Sequence, residues 1–247
     1  MPEMGAQGLR KAVIFDLYGT LIDIQTDEQD PWIYGVLSQY LSYHFVRIPA
    51  DELRKEYQTE IRVALGQSGQ EHADIDVYNV FRSIMRRYGR GGPNRNEVVS
   101  VAMLFRSLSR RRFGAFQGVY DALSKLSRNY RLAVVSDAQW VFTDPELEML
   151  GLARFFRTRI LSSRFGYRKP DTRLFGEALK RLWVRPEDAV YIGDNPERDL
   201  KGAKAAGMKC LLFRAGNGPY DGLKPDGRFN DYSELEKIVS SLLPLGL

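Results

Sequence analysis

The stretch Lys11-Ala12-Val13-Ile14-Phe15-Asp16-Leu17-Tyr18-Gly19-Thr20-Leu21 organises the rest of the chain. An apolar run of strand-forming residues ends at Asp16, and a turn containing Gly19 and Thr20 follows it. In α/β proteins this is how a reactive side chain is presented at the carboxyl end of a strand. Aspartate near a glycine is also ordinary turn chemistry. The stretch alone therefore leaves two interpretations of Asp16 open, a reactive carboxylate and a turn residue.

Length and composition indicate a folded globular protein. With 247 residues, 44% of them hydrophobic, the chain is long enough for one large domain or for a core domain with an insertion. A net charge of +5 suits an anionic small molecule but is too modest to indicate nucleic acid. Cys210 is the single cysteine, lies in an apolar run and fits a reducing compartment. We expect a cytoplasmic protein without a membrane partner, since no segment reaches the roughly 20 apolar residues that span a bilayer and Met1–Gly8 lacks the apolar core of a signal peptide.

After the opening strand the apolar residues recur at helical spacing. Asp30-Pro31 is a typical helix start, because proline is tolerated at the first helical position. Three further helices are predicted to follow, and residues from about 25 to 112 are predicted to contain no strand. Trp32 and Tyr34 are predicted to pack in the core of these helices.

Beyond Gly118 predicted helices and strands alternate, as a parallel sheet with right-handed crossovers requires. The predicted strands are Arg131–Ser136, Thr158–Leu161, Ala189–Gly193 and Lys209–Phe213. The predicted helices are Val119–Leu126, Pro145–Leu150, Asp171–Leu182, Glu197–Ala206 and about Ser233–Leu243, and residues 215–228 are predicted to be a surface turn. The predicted fold is α/β, a doubly wound, Rossmann-like parallel sheet. Residues 1–22 and 115–247 form this core, and residues 23–114 form an inserted helical bundle.

Polar residues follow three further strands of the predicted sheet. Ser136 ends one strand, Lys169 precedes a helix after the next, and Asp194 and Asp199 follow the third. The carboxyl ends of parallel strands meet at one edge, where open α/β sheets bind ligands. Carboxylates that approach each other there repel unless a cation neutralises them, and an all-oxygen ligand set suits Mg²⁺. The sequence thus predicts a magnesium site formed with Asp16.

Each of these residues also has a purely structural interpretation. Asp194 and Asp199 are suitable caps for a helix start, Ser136 can cap a helix, and an isolated Lys169 is ordinary surface charge. The coincidence of four successive strands ending in such residues favours a site. Lys169 would then hold a negatively charged nucleophile and substrate, and Ser136 and Thr20 would donate hydrogen bonds to a phosphate.

In this pattern the chain resembles the haloacid dehalogenase-like (HAD) hydrolase superfamily, helical-cap subfamily. The four motifs of that family occur here in order. They are Asp16-Leu17-Tyr18-Gly19-Thr20, Ser136, Arg168-Lys169-Pro170-Asp171, and Gly193-Asp194 with Asp199. The resemblance covers essentially the whole chain, since the inserted bundle also resembles the helical cap domain of the family.

The resemblance implies a hydrolase in which Asp16 attacks the substrate and forms a covalent aspartyl intermediate. It implies Mg²⁺ held by Asp16, the backbone carbonyl of Tyr18 and Asp194, with Asp199 direct or through water. Thr20, Ser136 and Lys169 would bind the transferring phosphoryl group. Residues of the cap domain would then act as a lid and select the substrate, which is expected to be a small phosphorylated metabolite. The sequence decides neither its identity nor whether the protein is a monomer or a dimer.

Tyr18 departs from the pattern of the family phosphatases, which place a second aspartate there as general acid and base. A tyrosine at this position resembles the 2-haloacid dehalogenases, which work without metal and lack the Gly-Asp that this chain keeps at Gly193-Asp194. We therefore expect a Mg²⁺-dependent phosphatase. The alternatives are a dehalogenase-type hydrolase with Asp16 as nucleophile and a weakly active protein that binds a phosphorylated metabolite.

Overall fold

The alternating side chains of the opening strand build a sheet with a buried layer on each face. Val13 and Phe15 pack into one hydrophobic cluster, and Ala12 and Ile14 pack into another on the opposite face. The protein is described by a computed structural model that covers residues 11–216, 218 and 220–245. Its strands are β1 (Ala12–Phe15), β2 (Ile22–Thr26), β3 (Arg110–Ala115), β4 (Arg131–Ser136), β5 (Thr158–Leu161), β6 (Ala189–Gly193), β7 (Lys209–Phe213) and β8 (Gly227–Phe229).

Six strands form one parallel sheet in the order β5-β4-β1-β6-β7-β8. The chain winds away from β1 first in one direction and then in the other, so the strand ends beside β1 border the crevice where such sheets bind ligands. The helices are α1 (Pro31–Ser42), α2 (Ala50–Gln67), α3 (Val77–Tyr88), α4 (Arg95–Ser109), α5 (Val119–Leu126), α6 (Trp140–Met149), α7 (Thr172–Leu182), α8 (Lys201–Ala205) and α9 (Leu235–Leu242). The predicted doubly wound α/β fold is confirmed. Among the described residues, no helix is both long and apolar enough to cross a bilayer.

Helices α1 to α4 enclose a hydrophobic cluster of their own. Helix α1 begins as predicted, with the Asp30 carboxylate accepting a hydrogen bond from the Trp32 amide at 3.0 Å. Val141 and Phe142 of α6 join this cluster, so the inserted bundle packs directly on the sheet domain. The division into residues 1–22 with 115–247 and residues 23–114 stays a prediction. Residues 1–10, including the stretch Met1–Gly8, lie outside the described residues.

The prediction that residues 25–112 contain no strand is wrong at both ends. Strands β2 and β3 pair antiparallel where the chain enters and leaves the bundle. The arginine run of β3 is a poor strand former on its own, and it gains stability from pairing with β2. Across this pair the Arg112 guanidinium donates to Asp23 Oδ1 at 2.7 Å.

Further boundaries differ from the predictions. Helix α6 begins at Trp140 instead of Pro145, so the proline lies inside the helix. The helix predicted at residues 197–206 is a π-helical turn over Pro196–Leu200 that continues into α8. Strand β8 lies at the end of the predicted surface turn. Tyr34 is buried as predicted, but Trp32 is 59% exposed and lies outside the core.

Candidate active site

The carboxyl ends of the central strands bring the predicted site residues together. Asp16 directly follows β1, Ser136 is the last residue of β4, and Asp194 directly follows β6. The Asp16 amide continues the sheet by donating to the carbonyl of Ile192 at 2.8 Å. Lys169 reaches the same point from the loop between β5 and α7. The sheet therefore places the four predicted motifs at one edge, as the sequence indicates.

Lys169 is a buried ammonium whose three hydrogen-bond donors have three acceptors. Its Nζ lies 2.9 Å from Asp16 Oδ1, 2.6 Å from Asp199 Oδ1 and 3.0 Å from the Tyr191 hydroxyl. Burial alone would lower the pKa of Lys169, but the carboxylates of Asp16 and Asp199 outweigh burial and raise it. The lysine is therefore a fixed positive charge against the predicted nucleophile.

Asp199 is fully buried and is held by the protein on both oxygens. Its Oδ2 accepts hydrogen bonds from the backbone amides of Asp194 and Asn195, at 3.1 and 2.9 Å. Its Oδ1 accepts from Lys169. This carboxylate orders the turn after β6, so any contribution to a metal must be shared with these donors.

Asp16, Asp194 and Asp199 each offer a carboxylate oxygen within 4.8 Å of the others. Burial, and then the charges of Asp16 and Asp199, raise the pKa of Asp194 to about 6. A divalent cation among these oxygens would offset both effects, and Mg²⁺ prefers such ligands. The donor set therefore fits Mg²⁺. Among the described residues, these three aspartates are the group that could hold a metal ion. Neither His44 nor His72 belongs to this group.

Two glycines permit the close approach of these loops. Gly19 has a φ of 85°, in the left-handed region, and a Cβ there would lie 2.6 Å from Asp194 Oδ2. At Gly193 a Cβ would lie 2.3 Å from Asp199 Oδ2. Thr20, predicted to bind phosphate, donates its hydroxyl hydrogen bond to Asp194 Oδ1 at 3.1 Å. The first and fourth motifs are thus in direct contact.

Tyr18 belongs to a hydrogen-bond network that sequence reasoning missed. Its hydroxyl donates to Glu146 of α6, and Arg106 of α4 donates to the same carboxylate at 2.8 and 3.2 Å. Glu146 is only 3% exposed. Burial and the Glu146 charge raise the pKa of Tyr18 well above its usual range, so the phenol stays protonated. No spacing in the sequence relates Arg106 to Glu146, because packing of the bundle on α6 creates their contact.

Asp137 and Arg198 border the cluster. Asp137 Oδ1 accepts a hydrogen bond from the Lys169 amide at 2.8 Å, and the Arg198 guanidinium lies 3.4 Å from Asp137 Oδ2. Ser136 is nearly fully buried at the end of β4. The position of Asp137 directly after Ser136 was a signal in the sequence for a contribution to this site. The catalytic and metal-binding roles of the predicted residues stay predictions.

Comparison with known proteins assigns the chain to a family. Residues 13–213 match the sequence profile of the haloacid dehalogenase-like hydrolases. Glyceraldehyde 3-phosphate phosphatase of Methanopyrus kandleri is 27% identical over 216 residues, which are 87% of this chain and 88% of that protein. Phosphoserine phosphatase of Thermus thermophilus is 34% identical over 158 residues, covering 63% of this chain and 62% of that protein.

A solved structure shows the same fold. The crystal structure of 2-haloacid dehalogenase from Pseudomonas syringae pv. Tomato aligns with a TM-score of 0.66 and 22% identity, over 94% of this chain and 99% of that one. The family profile spans all four motifs that meet at the strand ends. The chain therefore belongs to the haloacid dehalogenase-like hydrolase family and is a hydrolase.

Proposed function

We propose that the protein is a Mg²⁺-dependent phosphatase that hydrolyses a small phosphorylated metabolite through an aspartyl-phosphate on Asp16. The observation that carries this proposal is that carboxylate oxygens of Asp16 and Asp194 lie within 4.8 Å of each other, in one cluster beside the Lys169 ammonium. Such a cluster fits a divalent cation and a phosphate together. The names of the two relatives, both phosphatases, support the same chemistry.

In the proposed reaction Asp16 is the nucleophile. Lys169 holds Oδ1 of this carboxylate at 2.9 Å, so we assign the attack on phosphorus to Oδ2. The bond from phosphorus to the leaving oxygen breaks, and that oxygen takes a proton. Water then attacks the aspartyl-phosphate, which releases inorganic phosphate and restores the carboxylate.

The surrounding residues would neutralise and position the phosphate. Bound Mg²⁺, held by Asp16, Asp194 and the Tyr18 carbonyl, with Asp199 direct or through water, would offset the repulsion between carboxylate and phosphate. Lys169, Thr20 and Ser136 would bind the phosphoryl oxygens, and for this Lys169 would exchange one of its three present acceptors for a phosphoryl oxygen. Thr20 would have to rotate from Asp194, to which it donates in this structure.

The proton for the leaving group does not come from Tyr18 in this proposal. Its phenol is bonded to Glu146 and its pKa is raised by burial, whereas an efficient general acid has a pKa near the working pH. Water would supply the proton instead. The enzyme is therefore expected to be slow, or to favour substrates whose leaving group needs no acid.

A 2-haloacid dehalogenase is the second candidate, favoured by Tyr18 at the second position after Asp16. In that reaction Asp16 would displace a halide from carbon, and no metal would be needed. The partly buried Asp194 and the buried Asp199 beside Asp16 are hard to explain in such an enzyme. The third candidate is a protein that binds a phosphorylated metabolite without appreciable turnover.

One set of assays separates these candidates. Phosphate release from p-nitrophenyl phosphate and from a panel of phosphorylated metabolites is measured with Mg²⁺, with EDTA, and in Asp16→Asn. Chloride release from 2-chloropropionate is measured without metal. The phosphatase proposal expects turnover that EDTA and Asp16→Asn both abolish. Metal-independent chloride release, or binding of phosphorylated compounds without turnover, would overturn it.

A further inference from the structure

The side-chain amide of Gln139 binds the backbone of the inserted bundle at two points. Its Nε2 donates to the carbonyl of Ile75 at 2.9 Å, and its Oε1 accepts from the amide of Val77 at 2.8 Å. Two hydrogen bonds to residues two positions apart imitate the edge of a neighbouring strand. Gln139 lies only three positions after Ser136, at the start of α6.

The next residue strengthens the same contact. Trp140 Nε1 donates to Asp76 Oδ2 at 3.0 Å, while Asp76 also caps α3. The guanidinium groups of Arg164 and Arg95 lie 4.5 and 5.5 Å from the centre of the Trp140 ring. The start of α6 is therefore bonded to the residues that lead into α3.

The same part of the bundle also binds the loop that carries Lys169. The Arg168 amide donates to the carbonyl of His72 at 2.8 Å, and the Asp74 amide donates to the carbonyl of Gly166 at 3.0 Å. Between them Ala73 and Tyr167 form an antiparallel bridge. We name residues 72–77 the strap. The strap thus contacts the loop residue directly before Lys169.

A third contact closes a ring. The Lys169 amide donates to Asp137 Oδ1 at 2.8 Å, which joins the lysine loop to the segment that contains Gln139. Three segments, residues 136–140, the strap and residues 166–169, are therefore bonded pairwise. Because each segment is bonded to the other two, loss of one contact allows all three segments more movement.

We infer that Gln139 is a positioning residue, which couples docking of the strap to the placement of Lys169 against Asp16. The inference deepens the proposed function and rests on it for its effect on rate. Lys169 lies 2.9 Å from Asp16, and its loop is bonded on one side to the strap and on the other to Asp137. A displacement of about 1 Å at a catalytic centre can lower a rate by roughly a hundredfold. Docking of the bundle would thereby complete the site as well as cover it.

The test compares Gln139→Ala, Gln139→Glu and the control Gln58→Ala. Alanine removes both hydrogen bonds, whereas glutamate keeps an acceptor for Val77 and loses the donor to Ile75. Gln58 is a partly exposed residue of α2 whose amide donates to Gln29 at 3.2 Å. We expect kcat to fall roughly tenfold or more in Gln139→Ala, less in Gln139→Glu and not in the control, with a smaller change in KM.

Hydrogen exchange of backbone amides supplies a measurement that needs no substrate. In Gln139→Ala the amides of Val77 and Asp74 should exchange faster, together with those of Arg168 and Lys169, while the amides of β6 keep their rates. Faster exchange at Val77 alone would overturn the coupling, as would an unchanged kcat in an active enzyme. If the wild type hydrolyses no phosphate ester but the four amides respond together, the coupling stands and the proposed function fails.

Discussion

At the scale of single residues, Lys169 has the most demanding environment in the site. Its ammonium is the cation in contact with Asp16 and Asp199, both of them buried. Removing one partner of a buried ion pair leaves an uncompensated charge, which is far more costly than losing an exposed pair. We therefore expect loss of the Lys169 charge to destabilise the fold as well as to impair the proposed chemistry.

Lys169→Met is expected to lower the free energy of unfolding by about 3–5 kcal/mol and to abolish turnover. Lys125→Met is the matched control, because Lys125 is half exposed and its Nζ lies 3.7 Å from Glu236. That change should stay within about 0.5 kcal/mol. Urea denaturation of both variants measures the difference. Equal effects would show that the Lys169 contacts do not stabilise the folded state.

Substitutions of Tyr18 test directly whether the lack of a general acid limits the rate. Tyr18→Phe loses the hydrogen bond to Glu146, which remains paired with Arg106, so we expect a loss of about 1–2 kcal/mol in stability and an unchanged rate with p-nitrophenyl phosphate. Tyr18→Asp introduces a carboxylic acid. If the missing acid limits the rate, this variant should hydrolyse alkyl phosphates faster than the wild type, by ~10²-fold or more.

The comparison of leaving groups is the decisive measurement for Tyr18. Phenolate leaving groups need little protonation, so the gain in Tyr18→Asp should be larger for alkyl esters than for p-nitrophenyl phosphate. If the wild type and Tyr18→Asp hydrolyse both ester types at equal rates, the missing acid does not limit the rate. Lost turnover in Tyr18→Phe would assign the phenol a role in the reaction.

At the scale of secondary structure elements, the sequence predicts what local patterns encode. Strands β4, β5, β6 and β7 have their predicted bounds, because each is a short, largely apolar run between turn residues. Strand β8 has three residues and depends on pairing with β7. Strands β2 and β3 pair with each other, although the whole bundle separates them in the sequence. Such pairings are made in three dimensions, and they leave little trace in a local pattern.

The same distinction applies to the site. Asp16, Ser136, Lys169 and Asp194 could be placed together from the sequence, because the topology of a parallel sheet brings strand ends to one edge. Arg106 and Glu146 could not, since neither lies at the end of a strand. Gln139 also carries no motif, and its contacts with Ile75 and Val77 arise from packing of the bundle.

Gly193 lies at the junction of β6 with the turn before α8. Gly193→Ala places a Cβ 2.3 Å from Asp199, so the turn must shift, and we expect lower stability and weaker Mg²⁺ binding. Gly176→Ala is the control, because a Cβ there meets nothing within 4 Å in the middle of α7. Alanine should stabilise that helix by up to about 1 kcal/mol. Calorimetry measures the Mg²⁺ affinity of each variant, and denaturation measures its stability. Equal Mg²⁺ affinities of the wild type and Gly193→Ala would contradict the prediction.

At the scale of the whole molecule, the site concentrates negative charge in the interior of a chain with a net charge of +5. Four carboxylates, those of Asp16, Asp137, Asp194 and Asp199, surround the two cations Lys169 and Arg198. Burial, and then the charges of Asp16 and Asp199, raise the pKa of Asp194 to about 6. Folding of the metal-free protein and binding of protons and Mg²⁺ are therefore linked.

The sign of this linkage follows from the pKa of Asp194, which is higher in the folded chain than the usual value near 4. Between about pH 4 and 6 the folded state binds more protons at this group than the unfolded state, so its contribution to stability is lost as the pH rises. Mg²⁺ binds the ionised carboxylate, and its affinity should fall by up to about tenfold per pH unit below pH 6. Added Mg²⁺ should accordingly raise the midpoint of thermal unfolding more at pH 7 than at pH 5. Asp194→Asn cannot ionise and should lose most of this stabilisation at both pH values, whereas equal stabilisation by Mg²⁺ in wild type and variant would remove Asp194 from the metal site.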